Sequence, residues 1–375
     1  MARHPRSLTT LTTHYLRPIG LAESPQSEHG AAIRLGGDLV FASRFAVIGR
    51  DGGKVISREV YGTRELEAAL PGLPEEVRTQ WADLQRSHAP LACGARTLRL
   101  DQPQVMGILN VTPDSFSDGG EFLDRPDVAA AHAAAMLEAG AAIIDIGGES
   151  TRPGAPGVWE GDELKRVIPV VERVAAMGAA ISVDTRRAAV MEAAIAAGAH
   201  VFNDVSALRH DPRSIELAAR CGVPVVLMHA PGEGEDLHGN ASYADPVLDV
   251  FDWLRLRRDE ALAAGIAREN IVLDPGLGFG KSLAANLALM NALPLFHALG
   301  QPLLVGASRK RMIGALSNEA PAGERLGGSL TLALKALDAG VQLLRVHDVP
   351  ETVQALRVWR GLRDAALTDF AQLPV

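Results

Sequence analysis

Cysteine is scarce in this 375-residue chain, which carries two. Cys93 and Cys221 stand far apart without a C-x-x-C pair, so a disulfide scaffold and a cysteine zinc site are excluded. A reducing compartment, the cytoplasm, is expected. Positive charge is also short. Lys and Arg number 37 against 45 Asp and Glu, a formal charge of −8, which provides no basic field for nucleic acid or an anionic membrane. Any anion has to be caught locally. Aromatic residues make up 4%, and no window reaches the ~18 unbroken apolar residues of a membrane span. The first twenty residues are rich in Arg and Thr and free of acids, a composition shared with organellar leaders. They lack the continuous apolar run of a secretion signal, and a soluble protein is expected. No serine sits in a G-x-S-x-G elbow, which removes one common nucleophile.

What is present is a repeat. From about Val105 a short apolar run, a polar or glycine turn and an alanine-rich helical stretch recur. The runs are VMGILNV, AIIDIGG, AISVDT, HVFNDV, VPVVLMH, NIVLDPG, PLLVGAS and LLRVHDV. They start on average 34 residues apart, close to the ~30 residues of a βα unit. Eight such units predict a (β/α)8 TIM barrel, in the α/β class. Residues 1–98 alternate around glycine turns ahead of a charged helical stretch, and read as a small N-terminal α+β unit. The barrel is assigned to 99–365 and a tail to 366–375. RDGGK (50–54) reads as a hairpin turn.

Barrel enzymes build their sites at the carboxyl ends of the strands. Here those ends carry Asn110, Asp145 with the 149–152 loop, Asp184, Asn203 with Asp204, His229, Asp274, Ser308 to Lys310, and Arg345 with His347 and Asp348. Asp145, Glu149, Asp204, His229 and Asp348 read as structural, capping helices or binding loop amides. A metal hydrolase fits poorly, because His229 and His347 have no third partner. Carboxylates such as Asp184 and Asp274, with an amide, suit the N–H edge of a polar heterocycle. Arg345, His347 and Asn110 suit an anion. The expected ligand is a donor-rich ring bearing an anionic group. LDPGLGFGKS (273–282) resembles a P-loop one residue short, and can also be read as a strand end whose aspartate, Asp274, does the binding while the glycines permit close approach.

Seven segments in order, MGILNVTPDSFSDGG, IIDIGGESTRPGA, VDT, FNDVSAL, LDPGLGFGK, GASRKRMIG and LRVHDV, resemble the dihydropteroate synthase family over roughly 100–360. The resemblance implies condensation of 6-hydroxymethyl-7,8-dihydropterin diphosphate with 4-aminobenzoate. It places pterin contacts at Asp184, Asn203, Asp274, Lys310 and Arg345. Diphosphate contacts fall on Asn110, Arg345 and His347, with Asn110 also meeting Mg2+. The aminobenzoate pocket falls on Phe116, Thr151, Arg152, Pro153 and Phe279. Catalytic weight is expected at Asp184, Lys310, Arg345 and Arg152. By the same resemblance the turn at 274–281 is not a broken P-loop: its aspartate holds the pterin and its glycines admit it. A homodimer acting on small molecules is implied. Leu277 replaces a frequent Phe of the family, and Arg311 stands where some members have Ser. The rival readings are a methyltetrahydrofolate-corrinoid methyltransferase, which needs no diphosphate grip, and a non-catalytic pterin binder.

Overall fold

The computed structural model describes residues 12–25, 28–112, 125–152, 154, 155, 157–232, 234, 236–239 and 241–368. Phe116 and Pro153 lie outside the described residues. The N-terminal part is a four-stranded antiparallel sheet of β1 (Thr13–Ala22), β2 (Ile33–Arg34), β3 (Phe41–Asp51) and β4 (Lys54–Gly62), with β3 central. The β3–β4 hairpin turns at Gly52 and Gly53, both at positive φ (52° and 83°), as a two-residue hairpin turn requires. Helices α1 (Thr63–Ala69) and α2 (Glu75–Leu84) follow, and Trp81 of α2 packs edge-on against Phe45 of β3.

A second hairpin, β5 (Leu91–Cys93) with β6 (Arg96–Leu98), lies on the N-terminal side of the boundary drawn at residue 98. Its buried Leu91, Cys93 and Leu98 nevertheless cluster with Met106, Ile143, Ala180, Val201, Val226, Val272, Leu304 and Leu343. These are residues at or near the start of all eight barrel strands, so the hairpin closes the barrel's amino-terminal mouth. The opposite mouth is left for the site.

The barrel strands are β7 (Gln104–Asn110), β8 (Ile143–Gly147), β9 (Ile181–Asp184), β10 (Val201–Asp204), β11 (Val225–Met228), β12 (Ile271–Asp274), β13 (Leu304–Val305) and β14 (Leu343–Val346). They pair in parallel in the order β12, β11, β10, β9, β8, β7, β14, β13. The two ends meet through one parallel bridge, Leu273 to Leu303, and Leu273 N–H donates to the Pro302 carbonyl at 2.9 Å. The expected barrel is thereby closed. Around it run α3 (Pro126–Ala139), α4 (Glu160–Ala176), α5 (Ala188–Ala196), α6 (Ser214–Cys221), α7 (Pro246–Ala263), α8 (Leu283–Phe296), α9 (Arg311–Leu316), α10 (Leu326–Asp338) and α11 (Val349–Leu367). α3 stops on Gly140 in the left-handed region at φ 111°, where a side chain is strained.

Helix α8, LAANLALMNALPLF, carries no charged residue. An outer barrel helix normally shows water a polar face; this one has cover on its outer side, where β1 packs and Arg17 donates to the Asn291 carbonyl at 2.9 Å. Nearby, Tyr15 of β1 sits edge-on to Phe251 of α7, and its hydroxyl donates to Asp252 at 2.7 Å. Arg50 pairs with Asp249 and Asp252. Residues of the sheet, α2 and the barrel helices belong to one continuous apolar core.

Candidate active site

The carboxyl ends of the strands surround a cavity of about 770 Å³. Its wall includes Asn110, Thr151, Arg152, Asp184, Phe279, Lys310, Arg345 and His347. Of the expected site residues within the described set, Asn203 and Asp274 do not line the wall and are buried close behind it. Among the described residues, seven cationic side chains line the cavity (Arg152, Lys281, Arg309, Lys310, Arg311, Arg325 and Arg345) against two acids, Glu149 and Asp184. In a chain with net charge −8 the described lining is therefore locally positive, and low-dielectric walls strengthen its field on an anion.

Arg345, on β14, organises the deep end. It donates Nε–H to Asp145 Oδ2 at 2.6 Å and Nη2–H to Asp184 Oδ2 at 2.7 Å. Asn203 Nδ2 donates to the same Asp145 oxygen at 3.1 Å. Asp145, expected to be structural, orients two expected pterin contacts at once. Its other oxygen has no partner among the described residues, a buried acceptor that water or a ligand N–H can complete. Burial pushes Asp184 up to about 7; Arg345 pulls the other way and Asp145 adds to the rise. Burial likewise lifts Asp274 to about 6 against the Gly276 amide, which donates to it at 2.7 Å. With both carboxylates ionised, one guanidinium between Asp145 and Asp184 leaves a net negative charge, suited to N–H donors. Two of the five guanidinium N–H groups are used there, and three remain for an anion.

Lys310 stands over the Phe279 ring, 4.4 Å from its centroid. Burial lowers it to about 8, with Arg345 adding to the effect. The Ser308 hydroxyl accepts the His347 backbone N–H at 3.2 Å and meets Nδ1 at 3.1 Å. When the hydroxyl proton serves Nδ1, the ring proton sits on Nε2 as a donor. Burial, then Arg345 and other cations, holds His347 down at about 3, so it acts as a neutral donor.

His238, which no sequence signal singled out, completes the other side. Its ring stacks on Phe279 with centroids 5.1 Å apart and planes 8° apart. Its Nδ1 accepts Gly280 N–H at 3.3 Å, so Nε2–H donates to the Thr151 carbonyl at 2.8 Å. The loops after β8, β11 and β12 are thereby joined. Behind Thr151, Glu149 receives Arg186 and Arg187, each at 3.0 Å, and Glu163 receives Arg187 at 2.6 Å. Burial opposes ionisation of Glu149, but Arg187 and Arg186 hold it below the usual carboxylate range. Asp204 binds Ser206 and the Leu208 amide, and Asp348 pairs with Arg309.

Two glycines of the 274–281 turn are closely approached by the neighbouring loop. A Cβ on Gly276 would lie 1.9 Å from the His229 carbonyl oxygen, and one on Gly280 would lie 2.4 Å from Pro231. Both glycines also sit at positive φ. Gly276 and Gly280 thus let the neighbouring loop close on the turn, while Gly278 and Gly280 also line the cavity.

Residues 106–347 match the model of the pterin-binding enzyme family. Dihydropteroate synthase of Neisseria meningitidis serogroup B is 48% identical over 274 residues, covering 72% of this chain and 96% of that protein. The chain belongs to the dihydropteroate synthase family. Among solved structures, Yersinia pestis dihydropteroate synthase in a sulfonamide drug complex superposes with a TM-score of 0.70 at 47% identity, covering 74% of this chain and 100% of that one. The Xanthomonas albilineans dihydropteroate synthase with 4-aminobenzoic acid gives a TM-score of 0.69 at 46% identity, over 77% and 100%. The family match begins at 106, so the N-terminal sheet lies outside it.

Proposed function

We propose that this chain condenses 6-hydroxymethyl-7,8-dihydropterin diphosphate with 4-aminobenzoate, giving 7,8-dihydropteroate and diphosphate. The observation that carries the reading is the juxtaposition around Arg345: a carboxylate floor for a donor-rich ring, beneath a wall of cations for its anionic group. The Xanthomonas relative binds 4-aminobenzoic acid, which supports the second substrate, and the Yersinia relative's complex supports sulfonamides as inhibitors here.

In the reaction the C–O bond between the pterin methylene and diphosphate breaks, the aniline nitrogen forms a C–N bond to that carbon, and the nitrogen releases a proton to solvent. Arg345, His347 Nε2 and Asn110 hold the leaving diphosphate, where donors aimed at developing charge lower the barrier. Asp184 and Asp145 balance positive charge growing on the ring. Thr151, Arg152 and Phe279 hold the amine close to the carbon, which replaces a bimolecular encounter by a local one. The amine keeps a free lone pair, so no strong base is needed.

Mg2+ fits as a companion of the diphosphate. Among the described residues no three His, Cys, Asp or Glu side chains converge as a ligand set. The neutral Asn110 amide on the wall would offer an oxygen to a hard cation brought in with the diphosphate. Held there, Mg2+ would supply charge neutralisation to the leaving group. A cytoplasmic homodimer is part of the proposal; the family resemblance supports both, and two free cysteines support a reducing compartment.

The test is to incubate the protein with both substrates and Mg2+, following dihydropteroate by mass and diphosphate release together. Equal amounts of both products are expected. Pterin binding without either product would favour the methyltransferase or the non-catalytic binder.

A further inference from the structure

Lys281 has no part in the binding scheme above, although it lines the cavity. Its Nζ donates to three carbonyls: Gly276 at 2.7 Å, His229 at 3.2 Å and Phe279 at 3.2 Å. An ammonium has three N–H groups, so this set satisfies it within the protein. His229 belongs to the loop after β11, and the other two belong to the turn between β12 and α8. One side chain therefore ties two adjacent loops. The same turn is pinned by Gly276 N–H to Asp274 at 2.7 Å and Gly278 N–H to Asn286 at 2.7 Å. Its aromatic member, Phe279, has Lys310 on its ring and His238 stacked against it.

We propose that Lys281 is a positioning residue: its ammonium fixes the turn after β12 and, through the Phe279 carbonyl, the ring against which aminobenzoate packs. The inference rests on the proposed function for its substrate, while its geometry stands apart from it. Asp274 lies on the strand and keeps its own bond to Gly276, so the pterin subsite depends less on this clamp than the aminobenzoate subsite does.

Lys281→Met keeps the length of the stem and removes the donors. The expected result is a KM for 4-aminobenzoate raised about tenfold, with kcat changed less than about threefold, because a loosened wall weakens binding of the amine in the ground and transition states alike. Amide hydrogen exchange in the peptide 274–282 is expected to quicken. In Lys281→Ala, added ethylammonium should enter from the cavity and restore the KM. An aminobenzoate KM within about twofold of wild type with unchanged exchange would overturn the proposal. So would equal losses for both substrates without recovery by ethylammonium. If the wild-type chain forms no dihydropteroate, the proposed function fails, and the exchange comparison alone decides the role of Lys281.

Discussion

Replacing Asp145 by Asn changes one atom in a fully buried group and removes the charge that holds Arg345 and Asn203 in place. In the wild type, Asp145 Oδ2 receives both side chains, at 2.6 and 3.1 Å. The amide oxygen of the variant can still accept both side chains, but without the charge, and the new NH2 group takes the place of Oδ1, turning a buried acceptor that a ligand N–H can meet into a donor. A hydrogen bond to a charged group contributes about 1.5–3 kcal/mol. Taking about 2 kcal/mol, at 1.4 kcal/mol per tenfold, gives about 30-fold weaker binding of the dihydropterin diphosphate. The trio of Asp145, Asp184 and Arg345 also loses its excess negative charge, which acts in the same direction on a donor-rich ring. Titration calorimetry of the pterin diphosphate with Mg2+ reads the effect, and circular dichroism checks the fold. The KM for 4-aminobenzoate should move less than about threefold. A folded variant that binds the pterin diphosphate within about twofold of wild type would refute the reasoning, and Asp145 would return to a structural role.

Glu149→Gln breaks a buried network with two arginines and is expected to destabilise the chain by about 3–5 kcal/mol, read by urea unfolding. Because Glu149 is held below its usual range, its stabilising contribution is present at neutral pH and lost as pH falls through the acid range; the gap between wild type and variant should narrow there. Lys310 is lowered to about 8, so kcat/KM for the pterin diphosphate should fall as pH rises through that value. Lys310→Arg should move this limb to higher pH; an unmoved limb assigns it to another group. A chain beginning near Leu100 exposes the uncharged helix α8 and should aggregate on size exclusion; a monodisperse, fully active truncation would contradict the packing described.

Much of the barrel was legible because parallel strands are buried on both faces and read as short apolar runs at even spacing. Site residues at strand ends were legible for the same reason, since the repeat locates each end. Asp145 was not, because its meaning depends on Arg345, 200 residues away. His238 sits in the long loop after β11, where no periodicity marks a position. The fate of Gly276 and Gly280 needed the neighbouring loop to be seen. Strand β1 hid in an Arg- and Thr-rich stretch whose burial is supplied by α7 and α8. One signal was in plain view: LAANLALMNALPLF has no charge for a solvent face, which requires a cover and points to the N-terminal sheet as that cover.

Arg17 and its partner Asn291 are 274 residues apart, and Tyr15 and Asp252 are 237 apart. On a ribosome adding about 5–20 residues per second, the N-terminal sheet therefore emerges on the order of 10–50 s before the surface that covers it. During that interval β1 and β3 present apolar side chains to water with only α1 and α2 to shield them. The order of synthesis leaves the apolar face of this sheet without its cover until α8 has been made.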